Sequence, residues 1–486
     1  MSPQKPQPAK PSSKAISANA ISAARREAFA ILLEIDRNQG HSDDLLRNSR
    51  VSALSPQDRN LCTTLVMGTL RWQIRLDGLI KPLLTKPNAR LDPEIRIALR
   101  LGAFQLLFLD RIPAHAAISD SVALAKAAGH KFASGMVNAV LRKLAAIPKP
   151  KQLPSLDLTA VTLAEATAHP AWLVERWAAN YGLEAARAIC LHGQSQPELA
   201  IRLNPKDAPA LEAELAEQGI VLLPGALLSS ARRVVSGDVT STAAFRSGQI
   251  RIQEEGSQLI AELGGDVCRA PKQILDCCAA PGGKTLILAE RNSQAKITAV
   301  EISPERHRAL EARIATSLYT AQIEVQLGDA MQLRADQAYD LVLADVPCSG
   351  TGTLGRNPEI RHRLQPLELA LHHERQCAIL SGALRAGAGL VIYSTCSLEP
   401  EENRQVVAEV LAEVSVRSLG WRQVSLADVI NELRQEGRWV QNGAEFLFKC
   451  VAEDGSLTIL PGSLGPGAAT DGFFRSEEHT SELQSQ

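Results

Sequence analysis

The chain has 486 residues, 45% hydrophobic and 22% charged, close to the averages for soluble globular proteins. At roughly 150 residues per domain this length predicts about three domains, and the composition excludes a chain that is wholly disordered, collagen-like or coiled-coil. Net charge is −1 but uneven: residues 1–150 hold 22 Lys+Arg against 11 Asp+Glu, leaving 30 against 42 in the remainder. A basic module joined to an acidic one predicts contact with a polyanion such as nucleic acid through counterion release; the plainer alternative is a solvated basic helical surface.

The first twenty residues mix Pro, Ser, Lys and Gln without a signal peptide's apolar stretch, so residues 1–20 are expected to be a disordered arm. From 21 to 150 apolar residues recur at helical spacing, as at Ile95, Leu99, Leu106 and Leu109, which predicts an all-α domain. The Pro-rich basic segment at 143–157 reads as a linker. A small α+β unit is expected over 160–248, with a helix through Trp172, Val174 and Trp177, apolar runs at 199–203 and 220–223, and a helix at 208–218 between them. From 249 to 474 short apolar runs at 274–275, 297–300, 323–327, 341–344 and 390–393 alternate with helical stretches. That rhythm predicts an α/β, Rossmann-like parallel sheet with ligands at the carboxyl ends of its strands.

The last segment, RSEEHTSELQSQ at 475–486, has no core pattern and looks like a translated sequencing adapter, expected to lie outside the fold. On this reading DGFF at 471–474 begins a closing strand that is cut short. No apolar run approaches membrane-spanning length. Nine cysteines without paired CxxC spacing predict reduced thiols, no metal and a cytoplasmic location.

Several of those cysteines need a different explanation. ILDCCAAPGGKT at 274–285 reads as a strand, a Gly/Pro turn and a helix start, where backbone N–H groups meet a polar ligand. It resembles the end of a P-loop, but the first glycine of that motif would fall on Cys278. Glu301 ends the next strand, placed to accept ribose hydroxyls, and Asp329 ends the third, placed to accept from an adenine amino group. Either acid alone is more commonly a solvated loop carboxylate; in order at successive strand ends they favour a nucleoside ligand without a triphosphate, a description S-adenosylmethionine fits. ADVPCSGTGT at 344–353 and IYSTCSLEPEEN at 392–403 each put a cysteine directly after an apolar strand, Cys348 and Cys396. One such thiol is more often a buried structural residue; two beside one cofactor pocket favour chemistry.

The reaction that calls for thiols there is methylation of a pyrimidine at C5, since thiolate addition at C6 makes C5 nucleophilic. Asp345 can hydrogen-bond the cytosine edge and Lys284 can steady the polar atoms of the site. At these residues the sequence resembles the RNA 5-methylcytosine methyltransferases, specifically the ribosomal small-subunit methyltransferase B family. Its helical region resembles the antitermination factor NusB through GTLRWQIRLDGLI at 68–80, RLGAFQLLFLDRIPAHAAISDSV at 100–122 and GMVNAVLRK at 135–143. The resemblance implies Cys396 as nucleophile and Cys348 as the thiol that assists product release. Cofactor contacts carry over to Cys278, Ala279, Ala280, Pro281, Gly282, Gly283, Lys284, Glu301, Asp329 and Asp345. Glu301 stands where the family often has Asp, QEEGSQ at 253–258 replaces QDEAS, and His362 stands where Trp is common. Arg356, Arg361 and Arg363 are suited to phosphate contacts, a solvated basic loop being the alternative.

The expected fold is therefore multidomain: a NusB-like helical domain, a small RRM-like α+β unit and a Rossmann-like class I methyltransferase domain. The expected partner of a monomeric enzyme is 16S ribosomal RNA presenting an unpaired or flipped cytosine. DNA cytosine methylation and a catalytically silent RNA-binding assembly factor are the competing functions; the presence of both thiols and Lys284 weighs against them.

Overall fold

A computed structural model of the chain describes residues 21–38, 40–149, 159–204, 206–264, 270–333, 339–465 and 470–480. The expected arm at 1–20 and the last six residues of the expected tail lie outside this range. The chain divides into two compact units, 1–154 and 155–486.

The first unit is helical. Its main helices are Ala23–Asp36, Pro56–Ile80, Pro93–Phe108, Ala114–Ala127 and Ser134–Ala145. Ser55 caps the second by accepting from the Asp58 N–H, and Pro56 occupies the first turn, where its missing donor costs nothing. Ile31, Leu65, Leu76, Leu99 and Leu141 are fully buried in one shared core. Gly68 permits helix Pro56–Ile80 to pack closely on helix Pro93–Phe108: a Cβ there would sit 1.9 Å from the Phe104 ring.

The second unit holds two sheets. In the smaller, β1 (Leu199–Leu203), β2 (Val221–Pro224), β3 (Ala231–Ser236) and β4 (Ile250–Ile252) lie in the order β2-β3-β1-β4, all antiparallel. Helix Ala208–Glu217 packs Leu211 and Leu215 against Ile201, Leu203 and Ile250 of this sheet. β4 pairs with β1 through Ile252–Ile201 and Ile250–Leu203. A boundary at 248/249 would therefore cut this sheet, and the expected division between the small unit and the next domain does not fall there.

The larger sheet contains β5 (Gln273–Asp276), β6 (Lys296–Glu301), β7 (Ile323–Leu327), β8 (Tyr339–Asp345), β9 (Gly387–Thr395), β10 (Arg422–Gln423), β11 (Leu457–Ile459) and β12 (Phe473–His479). Its order is β10-β12-β9-β8-β5-β6-β7, with β11 also on β12. β5 to β9 are mutually parallel and β12 runs antiparallel to β9. Both faces are covered: Leu286, Ile287, Leu310 and Ile314 pack on one side, Ile379, Leu380, Val406 and Val407 on the other. Double coverage is why the parallel strands are continuous apolar runs. Strand order reverses between β5 and β8, so the crevice beyond their carboxyl ends is the natural ligand site.

The tail departs from expectation. β12 continues through His479, pairing Phe474–His479 with Leu390–Thr395, and Arg475, Ser476, Glu477 and Glu478 are fully buried. The backbone ladder of β9 needs a partner there, and the segment supplies it although its side chains are polar.

Candidate active site

The β5 strand ends in the Cys277–Gly282 turn, and helix Gly283–Arg291 begins immediately after it. Gly282 is in the left-handed region at φ +91°, and a Cβ there would lie 2.7 Å from Leu310. A Cβ on Gly283 would meet Gln253 at 2.9 Å. The turn is thus lined by backbone at a helix start, and the N–H groups of Cys277, Ala279 and Gly282 fix its shape by donating to the Leu343, Val300 and Ala279 carbonyls.

Glu301 ends β6, is buried, and accepts from the Ser303 N–H at 2.9 Å. Arg306 approaches it at 3.6 Å and donates to the Ala280 carbonyl at 2.7 Å, joining the two strand ends. Asp329 lies half-buried beyond β7 and accepts from the Met331 N–H at 3.0 Å, capping its own turn. At the end of β8, Asp345 pairs with the Lys284 ammonium at 2.7 Å and accepts from the Ser394 hydroxyl at 2.8 Å. Lys284 also donates to Ser257 at 3.0 Å. Burial works to lower the pKa of Lys284, but Asp345 and then Cys396 outweigh it, so the pKa is raised and the side chain stays an ammonium. Burial, reinforced by Asp276 and Asp345, pushes the Cys278 thiol up, which makes it a packing residue rather than a nucleophile.

Cys348 and Cys396 follow the adjacent strands β8 and β9, and their sulfurs lie 3.3 Å apart. The hydrogen bond between them, and then burial, raise the Cys348 pKa well above the usual thiol range. Each cysteine is followed by a serine, and both serines bind one buried carboxylate, Glu402. Its Oε2 accepts from the Ser349 and Ser397 hydroxyls, while its Oε1 accepts from the Ser349 N–H at 2.8 Å and from Gln376 at 3.0 Å. Gln376 donates in addition to the Pro347 carbonyl at 3.0 Å. Glu402 therefore ties the two cysteine loops together. The paired Cys-Ser dipeptides were the available signal for it, hidden because EPEE reads as a solvated acidic turn.

Helices Ala160–Thr167, Ala171–Tyr181 and Leu183–Gln194 buttress the same loops. Trp177 donates to Glu399 at 3.0 Å, Arg176 pairs with Glu399 at 2.9 Å and Glu401 at 2.6 Å, and the Tyr181 hydroxyl donates to the Leu398 carbonyl. The segment expected to belong with the small sheet instead packs Leu163, Leu173 and Trp177 against Leu354, Leu364 and Leu398.

The three arginines separate. Arg361 is buried, donating to the carbonyls of Gly193 at 2.8 Å and Leu354 at 3.3 Å. An arginine committed to interior carbonyls is withdrawn from any phosphate, so its expected RNA contact is corrected to a structural role. Arg356 is partly exposed and pairs with Asp471 at 2.7 Å. Arg363 is half-buried at the same loop's end.

A doubly wound sheet with a glycine turn after its first parallel strand, acids ending the next strands and a thiol pair beyond β8 and β9 defines an S-adenosylmethionine-dependent methyltransferase. The 16S rRNA methyltransferase RsmB/F family matches residues 268–477, the NusB family matches 22–146, and the ferredoxin-like domain of RsmF/B-like methyltransferases matches 169–237. The chain is 32% identical over 459 residues to the probable ribosomal RNA small subunit methyltransferase B of Bacillus subtilis (strain 168), covering 92% of this chain and 96% of that protein. It is 34% identical over 405 residues to the corresponding Synechocystis protein, 80% and 89% covered. A solved structure, PH0851, shares the fold at TM-score 0.74 and 21% identity, covering 95% of this chain and 99% of that one. The chain belongs to the ribosomal RNA small subunit methyltransferase B family. The glycine turn and the acceptor-only carboxyl groups at successive strand ends fit the family's cofactor, S-adenosylmethionine.

Proposed function

We propose that the protein methylates C5 of a cytosine in 16S ribosomal RNA through a covalent cysteine adduct. The observation that carries this reading is the 3.3 Å pair of thiols beside the Asp345–Lys284 ion pair. Residues Cys278–Lys284, with Glu301, Asp329 and Asp345, hold adenosylmethionine, which when bound supplies the methyl group that C5 takes. Cys396 attacks as the thiolate: its sulfur bonds to C6 while the electron pair of the C5–C6 bond becomes available at C5. Asp345 accepts from the amino edge of the base and orients it.

After methylation the C5 proton passes to the Cys348 sulfur. The C–H pair re-forms the C5–C6 double bond, and the C6–S bond breaks to return the Cys396 thiolate. Cys348 enters this step as the thiolate: the hydrogen bond to Cys396 that does most to raise its pKa is lost once Cys396 is bound to C6, its own proton leaves to solvent, and the proton taken from C5 restores the thiol. Because a duplex hides the base face, the target cytosine is unpaired or flipped, and a monomer suffices because both thiols come from one chain.

The test is methyl incorporation into unmodified small-subunit RNA, with digestion to identify 5-methylcytosine. Cys396→Ala should lose activity completely, and Cys348→Ala should accumulate a covalent RNA adduct. Activity surviving in Cys396→Ala, with Cys348→Ala dead and free of adduct, would reverse the two roles and return the arrangement used on DNA.

A further inference from the structure

The molecule carries a second cluster of ligand-type side chains, away from the reacting cysteines. His373 and Cys377 lie one turn apart on helix Glu368–Ala386, which puts them on one face, and Glu409 faces them from helix Arg404–Ala412. One atom of each, His373 Nε2, Cys377 Sγ and a Glu409 carboxylate oxygen, lies within 4.8 Å of the others. Nε2 is 3.6 Å from the sulfur and 3.0 Å from Oε2. Tetrahedral zinc with Zn–S of ~2.3 Å and Zn–N of ~2.0 Å sets sulfur and nitrogen about 3.5 Å apart.

The orientation of the imidazole is an independent observation. Its Nδ1 lies 2.7 Å from the Glu401 carbonyl, which can only accept, so Nδ1 carries the proton. In the neutral ring Nε2 then presents its lone pair to the thiol and the carboxylate. A backbone carbonyl on the far nitrogen is how metal-ligating histidines are commonly held. Two acceptors 3.0 Å apart need a positive centre between them, either a ring proton or a metal ion. The Glu409 side chain is 64% exposed, so an ion has a way in.

We propose that His373, Cys377 and Glu409 form a three-ligand site for a zinc-class divalent cation, with water completing the tetrahedron. Nitrogen, thiolate and carboxylate together select zinc or cobalt over magnesium or calcium. This departs from the metal-free expectation, which looked for paired cysteines. A bound ion fastens helix Arg404–Ala412 to helix Glu368–Ala386, whose Gln376 braces Pro347 and Glu402 behind the cysteine loops. The site thus stiffens the support of the catalytic loops without touching substrate.

The experiment titrates metal-free full-length protein with cobalt(II) and follows the tetrahedral visible bands and the thiolate charge-transfer band. One equivalent should give both, zinc should abolish them, and zinc should raise the melting temperature. Cys377→Ser should lose the charge-transfer band and the zinc-dependent thermal shift while melting like the parent without metal. Glu409→Gln, at an exposed position, should fold normally and weaken binding by about tenfold or more. The Cys348→Ala/Cys396→Ala double variant removes the active-site thiol pair and should keep the signal. A signal that persists in Cys377→Ser, or is lost only in the double variant, overturns the proposal; so does the absence of a thiolate band at millimolar cobalt.

Discussion

Buried charge is handled in opposite ways at two places in the large sheet. At the carboxyl ends of β8 and β9, Glu402 is fully inside the protein, yet two hydroxyls, an N–H and an amide all point at it. Three strands over from the glycine turn, β12 buries Arg475, Glu477 and Glu478 opposite Ser394, Ile392 and Val391 of β9. The first network has one role for each polar atom; in the second, Arg475 pairs with Glu477 and donates to the Ile260 carbonyl, but both Glu478 carboxylate oxygens lack a hydrogen-bond partner among the described residues. A buried polar group is informative about function when its partners converge on it, and a burden on stability when they do not.

The largest expected effect breaks the convergent network. Glu402→Ala leaves the Ser349 N–H and both serine hydroxyls without their acceptor, and frees the two cysteine loops to shift by fractions of an ångström. Misplacement on that scale should lower the methyl-transfer rate by about a hundredfold while adenosylmethionine affinity stays at the parent value. Calorimetric cofactor binding beside single-turnover methylation separates these. A rate within threefold of the parent would show that the loops hold themselves.

The second prediction sharpens the other side of the comparison. Burial, only partly offset by the Ser476 hydroxyl, pushes the Glu478 carboxyl up to about 8. In the folded chain it therefore keeps a proton that the unfolded chain releases near pH ~4.3. A raised carboxyl pKa means stability is highest below the unfolded value and is lost as pH rises from about 4 towards 8, by a few kcal/mol in total. Glu478→Val removes the titration and fills the position as its neighbours in β9 are filled. Denaturant melts at pH 5 and pH 8 should show the variant gaining most at pH 8. An equal shift at both pH values would mean the side chain is already relieved by water.

What could be read from the sequence follows the same division. β5 to β9 were legible because a strand covered on both faces must be apolar along its whole length, and Gly, Pro or acidic residues mark its ends. β3, ARRVVS, was not: it is half-exposed on a four-stranded sheet, and its arginines point to Glu212 and Glu198 rather than a core. The segment after Phe474 was invisible as a strand because polar side chains carry no period-two apolar pattern, although the ladder to β9 needs only backbone. At the site, Cys348 and Cys396 were legible because each directly follows a strand. The proximity of those two strands was not, since it depends on β8 and β9 pairing across forty residues of intervening chain.

The arginines of the 356–363 loop give the smallest expected effect and the cleanest contrast. Three basic residues within eight look alike on paper, but Arg361 spends its guanidinium on the Gly193 and Leu354 carbonyls, whereas Arg363 is partly open to solvent. Removing a cation that contacts phosphate weakens RNA binding evenly across sequences and reduces the slope of log affinity against log salt by about one. Removing one that fastens the interior leaves that slope alone and lowers the melting temperature. Arg363→Ala should therefore change the salt slope and not the melt, and Arg361→Met the melt and not the salt slope. Filter binding of small-subunit RNA at several salt concentrations, beside a thermal melt of each variant, reads both. If the two variants behave alike, burial is not what separates RNA-contacting from structural arginines in this loop.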